Sequence, residues 1–160
     1  KLVLVDGKSG KLMEEVEVNQ YQYSSPVAAD LNNDGYDEVV INKNEIQWMG
    51  DNGNYISYLL VLDFKRNQKY VLGDTIRGSN EASTPWIGDI NNDKYLDIIY
   101  TGVDYPPAEL INPGEEKEFI PVLPKELIVY RFNTAFKYQK PVQWGAYMGS
   151  AYTSIFKSSQ

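Results

Sequence analysis

An all-β fold is what the 160-residue sequence predicts, and three observations predict it. No segment keeps a 3.6-residue apolar period over the length of a helix. Short runs rich in Val, Ile, Leu and Tyr recur, each bounded by Asp, Asn, Gly or Pro. Two segments 59 residues apart also repeat one another without a gap.

The elements follow in order. Leu2-Val3-Leu4-Val5 and Leu12 to Val18 read as a strand pair, turned by Asp6-Gly7-Lys8-Ser9-Gly10, where Asp and Gly tolerate the backbone angles of a tight turn. The first copy of the repeat follows. Ser25-Pro26-Val27-Ala28-Ala29 gives a short strand over 26–29, Asp30-Leu31-Asn32-Asn33-Asp34-Gly35-Tyr36-Asp37 an acidic loop, and Glu38-Val39-Val40-Ile41 a strand over 38–42. Leu59 to Asp63 and Lys69 to Thr75 supply two more strands. The second copy runs Thr84-Pro85-Trp86-Ile87-Gly88, then Asp89-Ile90-Asn91-Asn92-Asp93-Lys94-Tyr95-Leu96, then Asp97-Ile98-Ile99-Tyr100. Leu127 to Arg131 and Tyr138 to Trp144 complete that unit, and Gly149 to Phe156 reads as the opening strand of another.

Four-stranded antiparallel units recurring about every 60 residues are the pattern of a β-propeller. The expected division is one propeller segment over 1–160: a partial blade at 1–23, a full blade at 24–80, a full blade at 81–146 and the start of the next at 147–160. That makes about two and a half blades, an incomplete ring, since closure takes at least about four. The chain therefore reads as a fragment of a longer propeller, with the remaining blades in the same or another chain. Asn42 to Asn54 and Val103 to Pro124 read as insertions. The second is long enough to suit a partner or ligand contact.

Composition narrows the chemistry. The chain holds no Cys and no His, which removes disulfides, thiolate or imidazole metal sites and His-dependent triads. Fifteen basic against 22 acidic residues give a net charge of −7, so nucleic acid and anionic membranes are poor partners and cations better ones. No apolar run approaches the roughly 20 residues of a membrane-spanning helix. Catalysis has no positive signature here. Trp48, Trp86 and Trp144 are candidates for stacking sugars, although packing within the sheets is the plainer use of such rings.

The acidic loops carry the sharper signal. Counted from Asp30, oxygen-bearing side chains stand at positions 1, 3, 5 and 9: Asp30, Asn32, Asp34 and Glu38. Asp89, Asn91, Asp93 and Asp97 repeat the spacing, and the backbone carbonyls of Tyr36 and Tyr95 stand at position 7. Such a set suits Ca²⁺, which takes six to eight oxygen ligands. An EF-hand is excluded, because position 12 is Ile41 or Tyr100 instead of Glu and the flanks are strand formers.

In this arrangement Pro-x-x-x-Asp-x-Asn-x-Asp-Gly-x-x-acid, followed by a β-run, resembles the FG-GAP/VCBS repeat of integrin-type propellers. The motif itself covers residues 25–41 and 84–100. The resemblance implies a Ca²⁺ loop between the first two strands of a blade, with Asp30, Asn32, Asp34, Tyr36 and Glu38 as ligands in one and Asp89, Asn91, Asp93, Tyr95 and Asp97 in the other. Lys94 stands where Gly is expected, and a left-handed backbone at that position costs roughly 1–2 kcal/mol. The expected function is a secreted or cell-surface binding or assembly module with structural Ca²⁺, part of a larger protein or complex, taking a protein or carbohydrate partner. The alternative is the propeller portion of a polysaccharide-active enzyme such as a lyase.

Overall fold

In the computed structural model the described residues are 1–18, 24–49, 52–80, 83–105, 108–109, 123–138 and 140–147. Among them every helix or strand is a β-strand, and every strand pairing is antiparallel. Among the described residues no helix is long and apolar enough to cross a membrane.

β1 (Leu2–Val5) and β2 (Leu12–Val16) form a two-stranded sheet. The Asp6 carboxylate closes the turn by accepting from the Ser9 N–H and hydroxyl, both at 2.7 Å. The second sheet has five strands, four of them in sequence order: β3 (Val27–Ala29), β4 (Glu38–Met49), β5 (Asn52–Asp63) and β6 (Gln68–Arg77). The third has β7 (Trp86–Gly88), β8 (Tyr95–Asp104) and, further along the chain, β10 (Glu126–Lys137), with β8 in the middle. β9 (Ala108–Glu109) adds to the start of β5.

Three expectations need correction. Asn42 to Asn54 is not an insertion, because β4 and β5 pair from Val39↔Leu62 out to Met49↔Asn52 as one long hairpin. Ile46, Trp48, Tyr55 and Ile56 are strand formers, and they carry the ladder outward into solvent, where Trp48 is 46% exposed. Tyr138 to Trp144 does not form a fourth strand on β10. Its described residues leave the sheet, and Trp144 instead bridges to Ala28 of β3. Pro141 has no N–H to donate to a ladder. β8 runs on to Asp104, so Val103 and Asp104 belong to a strand rather than to the expected loop; most of the remainder of that loop, and residues 148–160, lie outside the described residues.

One core joins the two larger sheets. Val27, Leu31, Val40, Leu59 and Val61 from the first unit pack with Ile87, Leu96, Ile98 and Tyr100 from the second. Burying each such side chain contributes about 1.5–3 kcal/mol. Polar contacts fasten the seam. Ser79 and Val103 exchange backbone hydrogen bonds of 2.9 and 2.7 Å. Asn80 accepts at its carbonyl from Asn44 Nδ2, donates its N–H to Asn44 Oδ1, and donates Nδ2 to the Thr101 carbonyl. Gly78 precedes this seam with φ +98°, and a Cβ there would lie 2.7 Å from the Val103 carbonyl oxygen.

β3 lies against β7. Between them Trp144 and Gly145 accept hydrogen bonds from the Ala28 and Ile87 N–H groups, at 2.8 and 2.6 Å. Ser25 N–H donates to Thr84 Oγ1 at 3.1 Å, so matched positions of the two repeats touch directly. The acidic loops join β3 to β4 and β7 to β8, and therefore emerge side by side.

Candidate functional site

The two loops fold alike because the same residue types make the same local bonds. Asp30 accepts from the Asp34 and Gly35 N–H groups, both at 2.9 Å. Asp89 accepts from the Asp93 and Lys94 N–H groups at 3.1 and 3.0 Å. Asp34 accepts from the Tyr36 N–H, and Asp93 from the Tyr95 N–H. Glu38 and Asp97 reach back to the N–H of position 2, Leu31 and Ile90. Short polar side chains that bond the backbone a few residues on are how Asx turns form.

The backbone matches as well. Asn33 and Asn92 have φ of 58° and 59°, and Gly35 and Lys94 have φ of 89° and 74°. Lys94 thus adopts the left-handed conformation that Gly supplies in the first loop. Its N–H bonds to Asp89, and its carbonyl accepts from the Tyr138 N–H at 2.7 Å. Those contacts hold the strained residue in place.

Positions 1, 3 and 9 of the first loop converge. The Asp34 N–H is shared by Asp30 Oδ1 and Asn32 Oδ1, and Asn32 Nδ2 donates to Glu38 Oε1 at 2.7 Å. Position 5 is drawn sideways. Asp34 Oδ2 faces Arg66 Nη2 at 2.8 Å and Lys65 Nζ at 3.7 Å. Arg66 in turn binds Asp63, and its N–H caps the same carboxylate. In the second loop Asn91 turns to Asp93 at 2.8 Å, and Arg131 holds Asp97 through Nε and Nη2, both at 3.0 Å. The difference has a cause: Glu38 is one methylene longer than Asp97 and reaches the amide at position 3.

Charge follows this geometry. Burial pushes the Glu38 carboxyl up, assisted by Asp63 and Asp34 and opposed by the hydrogen bonds from Leu31 and Asn32. Burial and Asp30 also raise Asp37, against Lys140. Arg66 holds Asp63 below the usual carboxylate range. The Asn91 amide does the same for Asp93, with the Tyr95 N–H assisting.

The donor set fits a hard cation, since every predicted side-chain ligand offers carboxylate or amide oxygen and each carboxylate oxygen can accept more than one partner. Among the described residues, however, no three acidic side chains are grouped closely enough to hold a metal ion. In the first loop Arg66 and Lys65 hold the Oδ2 oxygen of Asp34 instead. The guanidinium partners were not legible from the motif. Asp63-x-x-Arg66 signals a local turn, but not that the turn of one hairpin reaches the loop of another.

A groove of about 420 Å³ opens beside the first loop, lined by Asp30, Asn33, Gly35, Tyr36 and Asp37 on one side and by Leu96, Lys137, Tyr138 and residues 140–143 on the other. None of the three Trp residues lines it.

No protein-family model matches the chain, and no curated protein or solved structure matches it either.

Proposed function

We propose that the chain is a segment of a secreted or cell-surface β-propeller whose acidic loops bind structural Ca²⁺, and that it serves as a binding or assembly module within a larger protein or complex. One observation carries this reading: two loops with oxygen donors at positions 1, 3, 5 and 9 share one hydrogen-bond pattern and one sequence of left-handed residues. The adjacency of β3 and β7 agrees with it, because the first strands of successive blades face a common centre in a propeller.

Asp30, Asn32, Asp34, Glu38 and the Tyr36 carbonyl would hold the ion in the first loop, and Asp89, Asn91, Asp93, Asp97 and the Tyr95 carbonyl in the second. Calcium supplies a fixed divalent charge that offsets the repulsion among the carboxylates. Asp34 joins that set once its Oδ2 is shared with, or released by, Arg66. Extracellular calcium modules bind with dissociation constants of roughly 10⁻⁴–10⁻³ M, which is why a compartment outside the cytoplasm suits them.

Thermal melting in millimolar Ca²⁺ and in chelator tests the reading. At about ten times the dissociation constant one site adds about 1.4 kcal/mol. The gain should shrink in Asp34→Ala and again in Asp34→Ala/Asp93→Ala. No calcium-dependent shift in the unmodified chain removes the metal reading.

A further inference from the structure

The groove beside the first loop has walls of opposite character. One wall carries Lys137 at the end of β10 and Lys140 in the stretch that follows, and both are exposed. Neither ammonium has a carboxylate within ion-pair distance among the described residues, whereas Lys43, Arg66, Arg77 and Arg131 all do. The groove brings these two cations together on a chain with a net charge of −7, with Lys140 near enough to Asp37 to favour its carboxylate. The opposite wall carries Asp37, and Tyr36 sits beside it with 59% of its surface exposed. Lys65 stands 4.0 Å from the centre of the Tyr36 ring and holds it from one side. On either side of Lys140, Tyr138 N–H is tied to the Lys94 carbonyl and Trp144 to β3. The groove volume falls in the range of roughly 300–1,000 Å³ found for small-ligand sites.

We propose that this groove binds an acidic carbohydrate, a chain of uronic acid residues, with Lys137 and Lys140 taking the sugar carboxylate and Asp37 the ring hydroxyls. A uronic acid ring presents its carboxylate on one edge and hydroxyls on the other, which matches a groove with cationic and anionic walls. Hydroxyls donate as well as accept, so Asp37 can accept from them as a carboxylate. The C–H face of the ring suits the flat, amphipathic Tyr36. An acidic peptide fits less well. It would set further carboxylates against Asp30 and Asp37, which line the same groove.

This inference goes beyond the calcium reading and is tested apart from it. The full chain is titrated calorimetrically with trigalacturonate, once in calcium and once in chelator, alongside Lys137→Ala/Lys140→Ala. Maltotriose and a triglutamate peptide serve as neutral and acidic comparisons. Binding of trigalacturonate in either buffer that the double variant weakens by about tenfold or more, at an unchanged melting temperature, is the expected result. Equal binding by the double variant, equal binding of either comparison ligand, or no binding in both buffers overturns the proposal. Failure of the calcium reading shows separately, as a melting temperature indifferent to the metal.

Discussion

Lys94 offers a direct test of how the second loop is built. Its φ of 74° lies in the region where a Cβ is strained, at roughly 1–2 kcal/mol. Replacing it with Gly removes that strain and keeps both backbone contacts, the N–H to Asp89 and the carbonyl to Tyr138. Gly also enlarges the unfolded ensemble, which takes back about 0.4–1 kcal/mol. Lys94→Gly should therefore stabilise the chain by roughly 0.5–1 kcal/mol, or about 2 °C in melting temperature for a domain of this size. Gly35 is the mirror case. Its φ is 89° and an added Cβ meets nothing within 4 Å, so Gly35→Ala isolates the backbone effect and should destabilise by about 1 kcal/mol. Urea unfolding of both variants in chelator gives the two values, with an unchanged m-value as the check on two-state behaviour. A destabilised Lys94→Gly would refute the reasoning, because it would mean that the Lys side chain contributes more than the left-handed backbone costs.

Two further outcomes are expected. Gly78→Ala should cost about 2–4 kcal/mol in urea unfolding, because it adds strain at φ +98° to an approach of 2.7 Å to the Val103 carbonyl, with backbone on both sides of the clash. In chelator, stability should peak at mildly acidic pH. Glu38 and Asp37 are raised in the folded state by burial, so they bind protons more tightly folded than unfolded. Their contribution is therefore complete below the ordinary carboxylate values of 4.5 and 3.8 and fades as pH rises above them. Asp63 and Asp93 are lowered, by Arg66 and by Asn91 respectively, so their contribution fades as pH falls below 3.8. Melting temperatures across the acidic range check the peak, and a monotonic rise toward neutral pH would contradict it.

What could be read from the sequence was what is local. The loop conformation rests on Asx bonds spanning at most a few residues, so the repeat of Asp, Asn and Asp spacings announced both loops and the strands that flank them. The inner ends of β4, β5, β8 and β10 were legible for the same reason, as compact β-rich runs bounded by turn residues. The long β4–β5 hairpin was missed because Lys43, Asn44 and Glu45 interrupt the apolar pattern, whereas ladder bonds need only backbone groups. The departure of Tyr138 to Trp144 from β10 was missed because its destination lies across the molecule, on β3. Arg66, Arg131 and Lys140 belong to the same class: each acts on a carboxylate far away in the chain, and no short motif encodes that reach.

The stretch at Trp144 and Gly145 has a further consequence for how the chain is assembled. It supplies the acceptors that satisfy one amide on β3 and one on β7, yet it is synthesised after both. During synthesis the two inner strands must wait, each with an open hydrogen-bonding position, until the chain has returned from the far end of β10. At Gly145 a Cβ would stand 2.3 Å from the Ile87 carbonyl oxygen, so this late-arriving latch admits only a bare backbone. Truncation before that residue would spare every long hairpin and still leave the Ile87 amide on β7 without its acceptor.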